Sequence, residues 1–283
     1  MRKLFLLIIA FALCGNIMAK VIDKVQYRIT YDTNCVADTT KRDSTGGYIY
    51  GTDEMALDIG SKVSKFYSMQ GVRYTKWIAD NIKRGGEADP NVLQPPRPLI
   101  TTVFFHNYPE GKDNTLSDDY PCLYRIEEPL STPEWTILPD TSTILGYHCT
   151  KAETDYKGRH WIAWYTEDIP IDQGPWFLGG LPGLILKAND VQSQWIFNVI
   201  GLKQIYGKED ITLGKWKKYD PMDKAKYYKW RRTATRDDMI KARNATSNVK
   251  FTPVKSTGEE YTSEEYHEEF CKPVPFNPLD LSE

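Results

Sequence analysis

Histidine is scarce in this 283-residue chain: four residues, His106, His148, His160 and His267. Cysteine is nearly as rare, with five. No G-x-S-x-G elbow, H-E-x-x-H pair or G-x-x-x-x-G-K-[ST] loop occurs, which removes the commonest hydrolase, metalloprotease and nucleotide-binding signatures. No two cysteines have C-x-x-C spacing, so a structural zinc is not expected, and no cofactor is assigned. The formal net charge is -2, and nothing in that balance calls for nucleic acid. Past residue 19 no stretch approaches the ~20 apolar residues of a membrane helix, so an integral membrane protein is not expected.

The one long apolar run stands at the start. Residues 1–19, MRKLFLLIIAFALCGNIMA, place Arg2 and Lys3 before an apolar stretch and end on Ala19. This is the pattern of a secretory signal cleaved near Ala19, and it implies export to the periplasm or cell surface. Cys14 raises a lipid-anchored alternative, but Leu13 is not the small residue that such processing prefers. Cys35, Cys122, Cys149 and Cys271 remain after cleavage and allow three pairings. If residues 118–152 form a meander, Cys122 and Cys149 flank a third strand at roughly 9–10 Å, beyond the reach of a bridge. Pairing across the fold, or free buried thiols, is then expected.

Val25, Tyr27, Ile29 and Tyr31 alternate with polar residues, and the same period recurs around Met55, Leu57 and Ile59 and at Tyr120, Cys122, Tyr124 and Ile126. Such alternation predicts antiparallel strands with one wet face. Further short strands are expected near 99–105, 135–138, 144–152, 160–166, 184–188 and 194–200, with tight turns at LPDTST and DYKGRH. GVRYTKWIADNIKR spaces Tyr74, Trp77, Ile78 and Ile82 as one face of a helix long enough to lie across a sheet. HWIAWYT and QWIFNVI carry large apolar residues on both faces, predicting central strands covered on both sides by the helix and by a loop or an apolar cavity.

The fold class expected is mainly β with α: a curved, half-barrel-like antiparallel sheet wrapped on an amphipathic helix. Three segments are expected: the signal at 1–19, the β domain at 20–205, and a charged, largely helical extension at 206–283. Within that extension Thr235 and Asp238 have capping-box spacing, and residues 263–270 read as a short helix. Basic residues from Lys215 to Arg243 interleave with aromatics, but in an exported chain a solvated face over packed rings explains them better than nucleic acid.

Candidate binding residues are the charge Arg159, which enters an apolar strand, and the aromatics Trp161, Trp164, Tyr165, Trp176 and Trp195. Ordinary core packing is the competing account of those rings. His148 and His160 lie on strands joined at Asp155 to Gly158, so they are placed to approach across the ladder. Glu264, His267, Glu268 and Cys271 share a helical face, which reads as a solvated surface. No catalytic and no metal-ligating residue is assigned.

The stretch GPWFLGGLPGLILKAND shapes backbone more than it carries chemistry. Gly174, Pro175, Gly180, Leu181, Pro182, Gly183, Leu184 and Ile185 form its frame, and Leu181-Pro182-Gly183-Leu184 fits a type II turn with positive φ at Gly183. Together with ILGYHCTKA and GRHWIAWYT, this stretch closely resembles the GLPGLI family of exported proteins from Gram-negative bacteria. Gly146, Ala152, Gly158, Arg159, Trp164, Tyr165, Ile169 and Pro170 match its pattern as well. The resemblance implies an envelope location but no catalytic residues. A non-enzymatic binding or accessory protein for an apolar small molecule, a lipid, a peptide or an envelope partner is the leading expectation. The alternatives are a hydrolase or metal-dependent enzyme with a spatially assembled site, and a structural partner of an outer-membrane transporter.

Overall fold

The computed structural model describes residues 20–85, 92–117, 123–213, 219–246, 252–255 and 257–282. The expected signal segment, Cys122 and residues 214–218 lie outside the described residues. The strands are β1 (Val21–Cys35), β2 (Gly51–Ile59), β3 (Ser64–Ser68), β4 (Val103–His106), β5 (Lys112–Ser117), β6 (Tyr124–Pro129), β7 (Thr136–Ile144), β8 (Tyr147–Tyr156), β9 (Arg159–Thr166), β10 (Leu184–Asp190), β11 (Trp195–Thr212) and β12 (Asp220–Pro221). The helices are α1 (Met69–Lys83), α2 (Lys224–Arg231), α3 (Arg236–Thr246) and α4 (Ser263–Phe270). The chain is mainly β, and all 12 strands form one large open sheet in the order β12-β6-β5-β4-β3-β2-β1-β11-β10-β9-β8-β7. Every neighbouring pair is antiparallel except β12 with β6.

Register fixes what the inner face presents. Ile29 pairs with Leu57, Leu57 with Phe66, Phe66 with Phe104, Phe104 with Thr115 and Thr115 with Ile126, so one row crosses six strands on a single face. Six aromatic rings then close a circuit inside the fold, from Phe104 through Phe177, Trp176, Trp161, Phe197 and Phe66 back to Phe104, with centroids 5.5–6.3 Å apart. Truncating any one of these rings to alanine costs about 3–5 kcal/mol.

Two hairpins show why the sequence turns where it does. Lys157 and Gly158 have φ of 48° and 77°, and Leu145 and Gly146 have φ of 50° and 84°. Two consecutive positive φ values suit the tight turns that match strand twist. The expected turn at LPDTST is instead part of β7. Its Pro139 and Asp140 are turn formers, but β7 is an edge strand, where a missing N–H goes unmissed.

Other expectations need correction. β9 and β11 bury one face, through Trp161, Ala163, Phe197 and Val199, while Ile162, Trp164 and Ile196 on the other are only half-buried and Ile200 is exposed. Helix α1 does not cover that face: Val72, Ile78 and Ile82 are exposed, and Asn81 is its only buried residue. Strand β5 had no counterpart in the sequence reading, and β11 runs past residue 205 to Thr212. Thr235 and Asp238 do form the expected reciprocal cap, with Asp238 N donating to Thr235 Oγ1 at 3.1 Å and Thr235 N to Asp238 Oδ2 at 2.9 Å.

Candidate functional site

At the inner face of β4, β5 and β6 the register row leaves a space. Phe104, Thr115 and Ile126 form one side of a cavity of about 200 Å3, and Trp176 and Phe177 close it from the loop before β10. The remaining walls come from α2, through Tyr227 and Tyr228, and from the C-terminal segment, through Phe276 and Leu279. Asp223 caps α2, accepting from Lys226 N at 2.8 Å, and the helix docks on β6 by Tyr227 against Tyr124, ring centroids 4.6 Å apart.

The loop Gly174 to Gly183 positions the aromatic wall. Leu178 N donates to Pro175 O at 3.0 Å, and Trp176 adopts φ 57°, which turns its indole inward to 3% exposure. Gly180, not Gly183, is the motif glycine with left-handed backbone, at φ 84°. The type II assignment is therefore corrected. Gly183 is needed because a Cβ there would stand 2.0 Å from Thr166 O, while Gly183 N donates to Leu181 O at 2.7 Å across Pro182. Leu181, Leu184 and Ile185 are buried in the main core, and Ile185 N donates to Gln173 O at 3.0 Å.

Arg159 is buried and serves as a clamp. Its Nη1 donates to Asp190 Oδ2 at 2.7 Å, its Nη2 to Asn277 Oδ1 at 2.6 Å, and its Nε to Leu279 O at 3.0 Å. Desolvation pulls its pKa down and Asp190 opposes that pull. The tail also passes so close to Gly158 that a Cβ there would sit 2.7 Å from Leu281 C. At the charged end of the cavity Lys224 Nζ bonds Asp280 Oδ2 at 2.9 Å, Glu128 Oε1 at 3.0 Å and Ser282 Oγ at 2.7 Å, and Lys157 Nζ meets Glu128 Oε2 at 3.1 Å. Burial alone would lower the Lys224 pKa, but the two carboxylates outweigh it and hold it above the ordinary lysine value.

Two further groups line or fix the site. Cys35 lines the cavity as a free thiol whose pKa burial, with Asp53 nearby, pushes up to about 12. Asp53 accepts from Leu99 N and Ile100 N at 2.9 Å each and so holds the segment that leads into Phe104; its burial raises its own pKa against those bonds. Trp195 lines the cavity at 7% exposure, and its buried indole Nε1–H has no hydrogen-bond acceptor.

Of the sequence candidates, Trp176 and Trp195 line the cavity and Arg159 binds the segment that walls it. Trp161 and Tyr165 are instead core side chains at 0% and 2% exposure. Trp164 points to the outer face, between its register partners Lys151 and Lys187. His148 and His160 do not meet: His160 pairs with Asp155 and His148 with Thr143 on β7. Among the described residues no group of three or more His, Cys, Asp or Glu is placed to hold a metal ion, and Cys35, Cys149 and Cys271 are free. Phe104, Tyr227, Phe276 and Leu279 were not among the candidate residues read from sequence, since they reach one cavity from three separate segments.

The family model described as N-glycanase peptide, N-terminal domain, matches residues 114–227, less than half of the chain. No curated protein matches. Two solved structures of PNGF-II, in P21 and C2 space groups, are similar at 19% identity with TM-scores of 0.45 and 0.44, covering 72% of this chain. The chain spans 32% of the length of those two proteins.

Proposed function

We propose that this chain is an exported envelope protein of the GLPGLI type, a binding or accessory protein that holds an apolar ligand in the cavity between the sheet, α2 and the C-terminal segment. The observation that carries this reading is the cavity itself: about 200 Å3 between Phe104, Ile126, Trp176, Phe177 and Leu279. Concave apolar space with a few placed polar groups is the usual form of a small-molecule site. In this reading the sheet curves as a half-barrel, with α1 at its rim and the segment from 206 onward as an added wall. Contacts between distant strands support the curvature: Ser131 beyond β6 meets Tyr156 of β8 at 2.8 Å, and Lys157 reaches Glu128. The test is native mass spectrometry of the chain purified from cell envelopes. A bound small molecule released on unfolding is expected; a ligand-free chain that also binds no apolar probe would refute the reading.

The match over 114–227 favours a second reading, a role in a glycan-processing reaction, because the family description names an N-glycanase. The carboxylates nearest the cavity, Glu128 and Asp280, are each held by lysine. Incubation of the purified chain with a glycoprotein separates the two readings. Glycan release would favour the second, and none is expected under the first.

A further inference from the structure

We infer that the outward face of α1 seats on an anionic lipid surface, with Val72, Ile78 and Ile82 entering the headgroup layer and Lys76 and Lys83 meeting the lipid phosphates. The inference goes beyond the binding reading above and is independent of it, since none of these residues lines the cavity.

The helix divides into three rows, because residues three and four apart share a face. Tyr74, Trp77 and Asn81 make the row turned toward the fold. Asn81 is buried, and the half-buried Tyr74 and Trp77 rings stack with centroids 6.1 Å apart. Val72, Thr75, Ala79 and Ile82 make a second row with Ile78 beside it, and all five are exposed, Ile82 to 69%. Lys76, Asp80 and Lys83 make the third, along the far edge of that stripe.

A continuous aliphatic stripe left in water calls for a cover. The charges beside it say of what kind. Residues 69–84 carry four basic side chains and one acidic one, in a chain whose formal net charge is -2. Arg73 is paired with Glu54 at 3.1 Å. Lys76 Nζ and Lys83 Nζ share the single carboxylate of Asp80, at 2.6 and 3.5 Å, and both lysines are mostly exposed, so the rim is left net positive.

Protein interfaces are depleted in lysine and are anchored by aromatic rings and arginine in pockets. Here the stripe is aliphatic, its rim is lysine and the two rings are turned inward. That arrangement suits a helix lying in the plane of an anionic bilayer, where apolar burial and attraction to the headgroups add.

The experiment is sedimentation of the full chain with vesicles of equal parts phosphatidylglycerol and phosphatidylethanolamine, and separately with vesicles of phosphatidylcholine. Co-sedimentation with the anionic vesicles alone is expected, and it should fade as salt is raised. Ile78→Gln/Ile82→Gln and Lys76→Gln/Lys83→Gln should each weaken it by about tenfold or more. Thermal unfolding should be nearly unchanged in both, since the replaced side chains are exposed. Should the isoleucine pair fail to fold, Ile82→Gln decides alone. No sedimentation with either vesicle, equal sedimentation with both, or variants that bind as the wild type does would each overturn the inference. So would capture from envelope extract of a protein that the isoleucine variant loses, in place of vesicle binding. The cavity reading stands under each of these outcomes.

Discussion

Arg159 and Asp190 form an ion pair at 2.7 Å with both side chains 1% exposed, and the second oxygen of Asp190 accepts from Trp195 N at 2.9 Å. One carboxylate thus joins the clamp on the C-terminal segment to the residue that lines the cavity. The pair costs desolvation, and its other hydrogen bonds are what make it tolerable.

Removing one partner exposes that cost. Arg159→Leu should lose about 3–5 kcal/mol of stability, read from urea denaturation. The double variant Arg159→Leu/Asp190→Leu should lose less than the sum of the two single changes. In Arg159→Leu the segment after Pro275 should also become the first site of proteolysis, because Asn277 and the Pro278 and Leu279 carbonyls lose their donor. Unchanged cleavage there would show that other contacts hold the segment.

Gly183 separates two explanations of a glycine. If positive φ were the requirement, Gly183→Asn would be milder than Gly183→Ala, since asparagine tolerates the left-handed region. The 2.0 Å approach to Thr166 O instead makes any Cβ unwelcome. Both variants should lose about 1–3 kcal/mol, with asparagine no better than alanine. Chemical denaturation of the pair decides it.

The Lys224 cluster gives a pH dependence with a definite sign. Its folded pKa is raised above the ordinary value of 10.5, so its contribution is complete below that value and is lost as pH rises through the folded pKa. The C-terminal segment should therefore stay protease-resistant at pH 9 and loosen only as pH rises above 10.5. Lys224→Gln should remove that alkaline step.

Thiol reactivity reports on the cavity wall. With its pKa pushed up to about 12, Cys35 is almost wholly protonated at neutral pH. Iodoacetamide at pH 8 should modify Cys271, which is partly exposed, and spare Cys35 and Cys149 until the chain is unfolded. Rapid native labelling of Cys35 would contradict that environment.

Much of the sheet was legible because a strand with one wet face writes its period into the sequence, as β1 does, with Val25, Ile29 and Tyr31 buried. β5 was not: KDNTLS is polar, yet Asp113 and Asn114 are buried, and His106 Nδ1 stands 2.7 Å from Asp113 Oδ1 across the sheet. Helix α1 has the pattern of a covering helix, yet Val72, Ile78 and Ile82 on it are exposed, since periodicity reports an apolar stripe and not its neighbour. The site was half visible. Trp176 and Trp195 stood out as large aromatics, whereas Phe276 and Leu279 lie in a proline-rich tail with no period, and only the fold brings them to Tyr227 and Phe104.

The most direct measurement is a crystal structure after soaking in bromobenzene, located by the anomalous signal of bromine. The account predicts a bromine peak between Phe104, Trp176 and Leu279, within the volume of about 200 Å3. A structure with these side chains collapsed together and no peak among them would contradict it.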